Sequence, residues 1–170
     1  MSPIASFAYE SDTSPRSDAT VRSLVRTCGL LRRVMEPHFG QFGISGSQWA
    51  VLRALNRAET VGEQSLRLTD LGDRLLVRPP SVTGVVDRLD KMGLIRREPS
   101  PDDARAKQVT LTSAGRALVE RVLRAMPERV DSILSDLSQS DRHALRRLLD
   151  AVSARLEILS AADAPNETTS

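Results

Sequence analysis

Apolar residues recur every three or four positions in two long stretches of the chain, residues 18–43 and residues 113–159. This spacing predicts helices that each have one apolar face. The two faces are longer than a single small domain can cover, so we expect a second copy of the chain to bury them. Both stretches are therefore predicted to be dimerisation helices.

Prolines and polar residues give these long helices their predicted boundaries. The first helix is expected to begin near Asp18 or Thr20 and to kink at Pro37, because proline lacks the N–H of a helical hydrogen bond. For the same reason, the helix after the middle segment is expected to be interrupted at Pro127. Ser140 is expected to cap the last helix.

Shorter periodic segments occupy residues 44–112. Ser45 and Gln48 have the spacing of a capping box, which predicts that a helix begins there. Two further segments, about residues 69–77 and 80–92, are predicted to be short helices joined by a tight turn. The middle of the chain therefore has a helix-turn-helix pattern.

The helix predicted over residues 80–92 is amphipathic and is followed by a β-ribbon. Its buried face is expected to consist of Val82, Val85, Val86, Leu89 and Met92. Gly93 is a helix stop, and residues 94–98 and 108–112 are β-capable segments on either side of a turn composition. This order predicts a mainly α (α+β) fold, with a winged helix-turn-helix part inside one domain over residues 18–159.

The helix-turn-helix and the ribbon together favour binding to duplex DNA. A helix that follows a tight turn fits the major groove, and small polar residues at its start allow close approach to bases and phosphates. Arg105 and Lys107 lie where a ribbon reaches the neighbouring minor groove, and Asp103 is spaced to hold the Arg105 guanidinium. A solvated surface pair explains the Asp103 to Arg105 spacing equally well. The predicted DNA-contacting residues are Arg78, Pro80, Ser81, Thr83, Gly84, Arg88, Asp103, Arg105 and Lys107.

Composition narrows the class of nucleic acid but adds little else. Aromatic residues are 3% of the chain, too few for the base-stacking platforms of single-strand and RNA binders. The net charge is only +2, and residues 66–112 hold nine Lys and Arg against seven Asp and Glu. Duplex binders usually have a stronger basic signal. The DNA hypothesis therefore depends on the motif and on the positions of the arginines.

No motif indicates catalysis, a metal or a cofactor, so the chain is not expected to be an enzyme. His38 and His143 have no carboxylate or cysteine at metal-ligand spacing, and no phosphate loop or nucleophile elbow is present. A single cysteine, no signal-peptide pattern and no apolar run of about 18 residues predict a cytoplasmic protein without a membrane segment. Residues 1–17 and 160–170 are predicted to be disordered tails.

Residues 82–115 resemble the winged-helix signature of the multiple-antibiotic-resistance-regulator (MarR) family. The matching motifs are Val86-Asp87-Arg88-Leu89, Gly93-Leu94, Asp103-x-Arg105 and Leu111-Thr112, and a weaker likeness extends over about residues 21–159. The resemblance implies an obligate homodimer that binds a pseudo-palindromic operator as a transcriptional regulator, most simply a repressor of neighbouring genes. Gly84 departs from the pattern, because many relatives carry arginine or another polar residue there.

The resemblance also implies release of the operator by a small, aromatic acid-like effector bound between the first two helices and the base of the winged part. Candidate pocket residues are Arg26, Met35, His38, Phe39, Trp49, Leu52 and Arg53. A simpler role for His38 and Trp49 is that they only line the core. Two hypotheses of a different kind stay open for the chain as a whole: Cys28 acts as a redox sensor, or the chain is a helical protein-interaction module that has lost DNA binding.

Overall fold

The computed structural model of the chain describes residues 15–63, 65–75, 79–99 and 107–162. Six helices and three short strands occupy these ranges. In chain order they are α1 (Pro15–Gly40), α2 (Gly46–Thr60), β1 (Leu66–Arg67), α3 (Leu68–Leu75), α4 (Pro79–Lys91), β2 (Ile95–Pro99), β3 (Lys107–Leu111), α5 (Ser113–Ile133) and α6 (Gln139–Ala162). The predicted mainly helical winged fold is confirmed. The chain divides into two compact units between Val122 and Leu123, inside α5.

The first unit contains a three-stranded antiparallel sheet in the order β1-β3-β2. β2 and β3 form the predicted ribbon, with Ile95 opposite Leu111 and Pro99 opposite Lys107. β1 was not predicted, because two residues are too few to show alternation. It pairs Leu66 with Val109 and thereby fastens the start of α3 to the ribbon.

The core of the first unit is formed by α2, α3, α4, the start of α5 and the inner face of the sheet. The side chains with almost no exposure are mainly leucine and valine, and each contributes about 1.5 to 3 kcal/mol by burial. They are Val51, Leu52, Leu55, Leu71, Val82, Val86, Leu89, Ile95, Val109, Val119 and Val122. Because α4 and the ribbon both contribute side chains to this core, their positions are fixed relative to each other.

Two turns define where α4 ends and where α5 begins. Gly93 has a φ of 69°, and the Leu94 and Gly93 amides donate to the carbonyls of Leu89 and Asp90, which closes α4 as a Schellman motif. Thr112 caps α5, since its hydroxyl accepts from the Gly115 amide at 3.1 Å and donates to the Gly93 carbonyl at 2.7 Å. The end of α4 is thus bonded directly to the start of α5.

Two predicted caps have different outcomes. The capping box of α2 is confirmed, since Ser45 and Gln48 each bond the other's backbone amide. The Ser140 cap is wrong: Ser138 caps α6 and bonds the backbone amide of Asp141 at 3.2 Å. Asp141 returns a bond to the Ser138 amide at 3.3 Å, so the acidic residue at the third helical position decides which serine is the cap.

The predicted break at Pro127 and two further details of the helices are corrected. α5 continues through Pro127 to Ile133, since the loss of one helical hydrogen bond is insufficient to end it. α1 begins at Pro15, before the predicted start near Asp18 or Thr20, and continues past Pro37 to Gly40, where the kink expected at Pro37 stays a prediction. Met92 is 45% exposed, so its predicted burial is wrong, because it follows the last helical residue and lies in the turn that ends α4.

The second unit consists of the end of α5, the turn after it and α6. Arg142 holds the turn together: its guanidinium donates to the carbonyls of Leu134 and Leu137 at 2.9 and 3.2 Å and pairs with Asp131 at 3.0 Å. None of the described residues of α6 is buried. Its apolar residues are therefore available for contact with another surface.

Candidate nucleic-acid interface

α4 has one face in the core and one face toward solvent. Val82, Val85, Val86 and Leu89 are buried, as their spacing predicts. Among the predicted DNA-contacting residues, Ser81 and Arg88 are exposed, and Thr83 and Gly84 are partly exposed. A Cβ added at Gly84 would meet no atom within 4 Å, so internal packing does not require a glycine there. The start of α4 therefore presents small residues to the outside.

Other predicted DNA-contacting residues lie in or beside gaps in the structure. Lys107 is exposed at the first position of β3. Pro80 lies in the first turn of α4, but its side chain is outside the described part of the chain, as are Arg78, Asp103 and Arg105. The Asp103 to Arg105 hypothesis therefore stays a prediction.

The outer end of α4 has two side-chain connections that the sequence analysis missed. Gln48, on α2, donates from Nε2 to Met92 Sδ at 3.3 Å. Arg97, on β2, forms an ion pair with Asp87 of α4 and places its Nε 3.8 Å from Asp90 Oδ2. Asp87 and Asp90 lie three residues apart on a helix otherwise suited to DNA. This pair of acids could have indicated a basic partner.

Around the end of α1, aromatic rings form a cluster that we call the aromatic junction, consisting of His38, Phe39, Phe42 and Trp49. Phe39 stacks on Trp49 with ring centroids 5.7 Å apart, and His38 meets the edges of Phe39 and Phe42 at 5.8 and 5.6 Å. His38 is 9% exposed, and its Nε2 is buried without a hydrogen-bond partner. The junction therefore contains one unsatisfied polar atom among apolar rings.

The remaining predicted pocket residues are only partly gathered at the aromatic junction. Leu52 is fully buried, Met35 is partly buried, and Arg53 donates to Asn56 Oδ1 at 3.0 Å. Arg26 is exposed and precedes His38 by 12 positions on α1, which is about 18 Å along a helix. Within one chain, Arg26 is thus too far along α1 to share a small ligand with His38.

A groove of about 750 Å³ lies on the other side of α1, beside the start of α2. Its lining residues are Gly29, Arg32, Arg33, Glu36, Pro37, Gly40, Gly43, Ile44, Ser45 and Gln48. None of the predicted pocket residues lines it. Glu36 accepts from the Gly46 amide at 3.1 Å, so a carboxylate of the chain itself already bonds the first turn of α2.

Arg116 joins the start of α5 to the end of α2. Its Nε and Nη2 donate to the two carboxylate oxygens of Glu59 at 2.9 and 2.8 Å. This bidentate hydrogen bond, ahead of the charge attraction, raises the pKa of Arg116 above its ordinary value. A polar cavity of about 640 Å³ beside the pair also contains Arg96 and Glu98, which are paired at 2.7 Å.

Cys28 is a free cysteine that is exposed on α1, and its role as a redox sensor stays a hypothesis. Within the described ranges, no three His, Cys, Asp or Glu side chains are grouped to hold a metal ion. No helix in the same ranges is long and apolar enough to cross a membrane.

Two sequence comparisons identify relatives of this chain. A model of the MarR family matches residues 42–106. The transcriptional regulator FarR of Neisseria gonorrhoeae is 31% identical over 126 residues, which are 74% of this chain and 83% of FarR. The transcriptional repressor IacR of Pseudomonas putida is 28% identical over 149 residues, 88% of this chain and 86% of IacR.

Solved structures have the same fold. A mutant of MarR from E. coli in complex with operator DNA has a TM-score of 0.73 at 23% identity, covering 84% of this chain and 99% of that one. BpsR of Bordetella bronchiseptica, whose DNA binding is regulated by 6-hydroxynicotinic acid, has a TM-score of 0.61 at 30% identity, covering 75% and 98%. NadR in complex with 4-hydroxyphenylacetate has a TM-score of 0.67 at 28% identity, covering 82% and 98%. This chain belongs to the MarR family of winged helix-turn-helix transcriptional regulators.

Proposed function

We propose that this regulator binds a pseudo-palindromic DNA operator as a homodimer, represses neighbouring genes and is released by a small aromatic acid. The observation that carries the proposal is how α4 is held in the fold and which of its residues are exposed. Its apolar face is buried, its end is closed by the turn at Gly93, and its start presents Ser81 and other small residues to the outside. A helix held in this way fits the major groove, and the β2 and β3 ribbon lies next to it.

Exposed apolar residues support the homodimer. On α1, Val21, Val25 and Leu31 are 59%, 66% and 47% exposed. On α6, the larger set comprises Leu145, Leu148, Leu149, Val152, Leu156, Ile158 and Leu159, all between 40% and 60% exposed. Contiguous apolar surfaces of this kind mark interfaces between subunits, and two-fold dimers are the commonest arrangement. Residues 18–43 and 113–159 are accordingly proposed to be the dimerisation helices.

The aromatic junction supports the effector hypothesis. A mostly apolar site with a few polar anchors is the usual design for a small aromatic ligand. The buried, unpartnered His38 Nε2 is such an anchor, and Trp49 stacks within the same cluster. The aromatic acids named for BpsR and NadR give the chemical class to test. An effector changes DNA affinity only as far as its own affinity differs between the two states.

A DNA titration with one substitution tests the proposed interface. A duplex is first selected by the wild-type protein from a random-sequence library, and its affinity is then measured by fluorescence anisotropy at several salt concentrations. Ser81→Glu is expected to abolish binding, because a bulky anion would meet phosphate and base edges. Ser47→Glu is the matched control, since it also places an acid in the first turn of a helix, on the exposed start of α2 and outside the proposed dimerisation helices. If both variants bind like the wild type, α4 does not enter the groove.

The wild-type titration also separates the two classes of function. A DNA-binding regulator releases counterions from phosphates, so its affinity falls steeply with salt. A protein-interaction module that has lost DNA binding would select no duplex and show no such dependence.

Trp49 provides the test of the effector, because it is the only tryptophan in the chain. Binding of 4-hydroxyphenylacetate or 6-hydroxynicotinic acid is expected to quench its fluorescence and to weaken operator binding by about 1 to 3 kcal/mol. His38→Phe keeps an aromatic ring at this position but removes Nε2, so it should lose both responses. No change in either signal would leave the aromatic junction as core alone, and quenching without any change in operator affinity would contradict the role of the acid as effector.

A further inference from the structure

Arg97 and Arg96 are neighbours on β2 with opposite surroundings. Successive strand residues point to opposite faces of a sheet. The Arg97 side chain is 17% exposed and turns toward α4, whereas the Arg96 side chain is 69% exposed and pairs with Glu98. The same residue type therefore occupies a half-enclosed and an open position one residue apart.

The Arg97 guanidinium reaches two carboxylates on α4, the helix proposed to enter the major groove. It hydrogen-bonds Asp87, and its Nε lies 3.8 Å from Asp90 Oδ2, close enough for an ion pair. Asp87 and Asp90 are three residues apart, so both lie on one side of α4. Arg97 itself is opposite Val109 in the ribbon, near the middle of β2. One side chain thus joins α4 to β2 of the β2 and β3 ribbon, which we call the wing.

The charges explain why this contact matters for DNA. The described side chains of α4 include two acids, Asp87 and Asp90, and two bases, Arg88 and Lys91, which cancel. The acids are 48% and 45% exposed, on a helix that we propose to lie against phosphates. Without Arg97 they would repel the DNA backbone, and the wing would lose its charged contact with the helix.

We propose that Arg97 is a positioning residue for DNA binding: it fixes the β2 and β3 ribbon against α4 and offsets part of the negative charge of Asp87 and Asp90. This inference rests on the proposed DNA-binding function. Arg97 does not act by touching DNA, because its Nη2 donates to Asp87 of α4 and only 17% of its side chain is exposed. Arg96, one position earlier, pairs instead with Glu98 of its own strand.

The matched pair Arg97→Gln and Arg96→Gln tests the proposal, because each variant loses one positive charge from the same strand. Both are titrated against the duplex selected by the wild-type protein. We expect Arg97→Gln to weaken binding at least about tenfold, as for a partly enclosed charge pair broken on one side. Arg96→Gln, an exposed pair, should change affinity by less than about threefold. Equal effects of the two variants would overturn the proposal.

Groove-specific probes separate positioning from loss of fold. Dimethyl sulfate reports guanine N7 in the major groove, and hydroxyl radicals report the minor groove. At saturating protein, Arg97→Gln should keep the guanine protection of α4 but lose the flanking minor-groove protection of the wing. Parallel loss of both kinds of protection would mean a merely structural role and would overturn the proposal. If Arg97→Gln does not fold, Arg97→Lys, which keeps the charge but not the two-point contact, is compared in the same way.

A double substitution tests the named partner. In the Arg97→Gln protein, Asp87→Asn removes the acid left without its arginine, so it should recover part of the lost affinity. Additive losses in the double variant would show that Asp87 and Arg97 act independently and would refute the contact. The wild-type protein is titrated first. If it binds no duplex, the proposed DNA-binding function itself is refuted, and this outcome is distinct from any effect of the Arg97 variants.

Discussion

Leu148 on α6 allows the homodimer to be tested with a magnitude worked from the structure. The residue is 53% exposed in the single chain. Full burial of a leucine side chain contributes about 1.5 to 3 kcal/mol, so covering the exposed half contributes about 1 kcal/mol. A two-fold interface contains the residue twice. Leu148→Ala should therefore cost the dimer about 2 kcal/mol, or about thirtyfold in its dissociation constant.

Sedimentation equilibrium over a range of protein concentrations measures that constant directly. The control is Arg146→Ala on the same helix. Its side chain is 83% exposed, and its pair with Asp150 at 3.7 Å is an exposed one of little energetic value. Alanine is a good helix former at both positions, so α6 itself should persist. If Leu148→Ala and Arg146→Ala dissociate alike, the exposed face of α6 is not the interface and the reasoning from exposure is refuted.

Other substitutions test the turns and pairs that support α4 and α5, each by urea unfolding. Gly115→Ala places a Cβ 2.0 Å from the Leu94 carbonyl oxygen, so it should destabilise the fold by about 1 to 3 kcal/mol; no loss would mean that α5 does not pack as described. Gly93→Ala forces a side chain into a φ of 69° and should cost about 1 kcal/mol, whereas Gly84→Ala, in a helix with open space around it, should stabilise by up to about 1 kcal/mol. The free energy of unfolding is therefore expected to fall for Gly93→Ala and to rise for Gly84→Ala. Glu59→Gln breaks a half-exposed pair, in which the Arg116 side chain is 49% exposed, and should change stability by about 1 kcal/mol; a loss of several kcal/mol would contradict this expectation.

Elements with a regular apolar spacing were predictable, because burial of one face imposes the pattern. The buried valines of α4 and the capping box at Ser45 are examples, and each depends on residues within a few positions of one another. β1 was missed because two residues show no periodicity. The strand forms because Leu66 pairs with Val109, more than forty positions later. The break expected at Pro127 was wrong, because a proline removes one helical hydrogen bond and the remaining bonds carry α5 on to Ile133.

The candidate interface was predictable in outline but not in its supporting contacts. Ser81 and Arg88 are exposed on α4 as their spacing indicates. The connections of α4 to its surroundings arise only on folding, since Arg97 meets Asp87 across a turn and Gln48 meets Met92 from a different helix. Sequence spacing describes single elements well, whereas a pair of side chains from two elements depends on how those elements pack.

The most direct test of the whole account is methylation protection of guanine N7 on the selected duplex, because this atom lies in the major groove. Two α4 helices in a homodimer predict two protected half-sites, inverted in sequence and centred about 10 base pairs apart, one turn of DNA. Ser81→Glu should abolish both together. A single protected patch, or none at a protein concentration that saturates the duplex, would contradict a dimer that reads the major groove with α4.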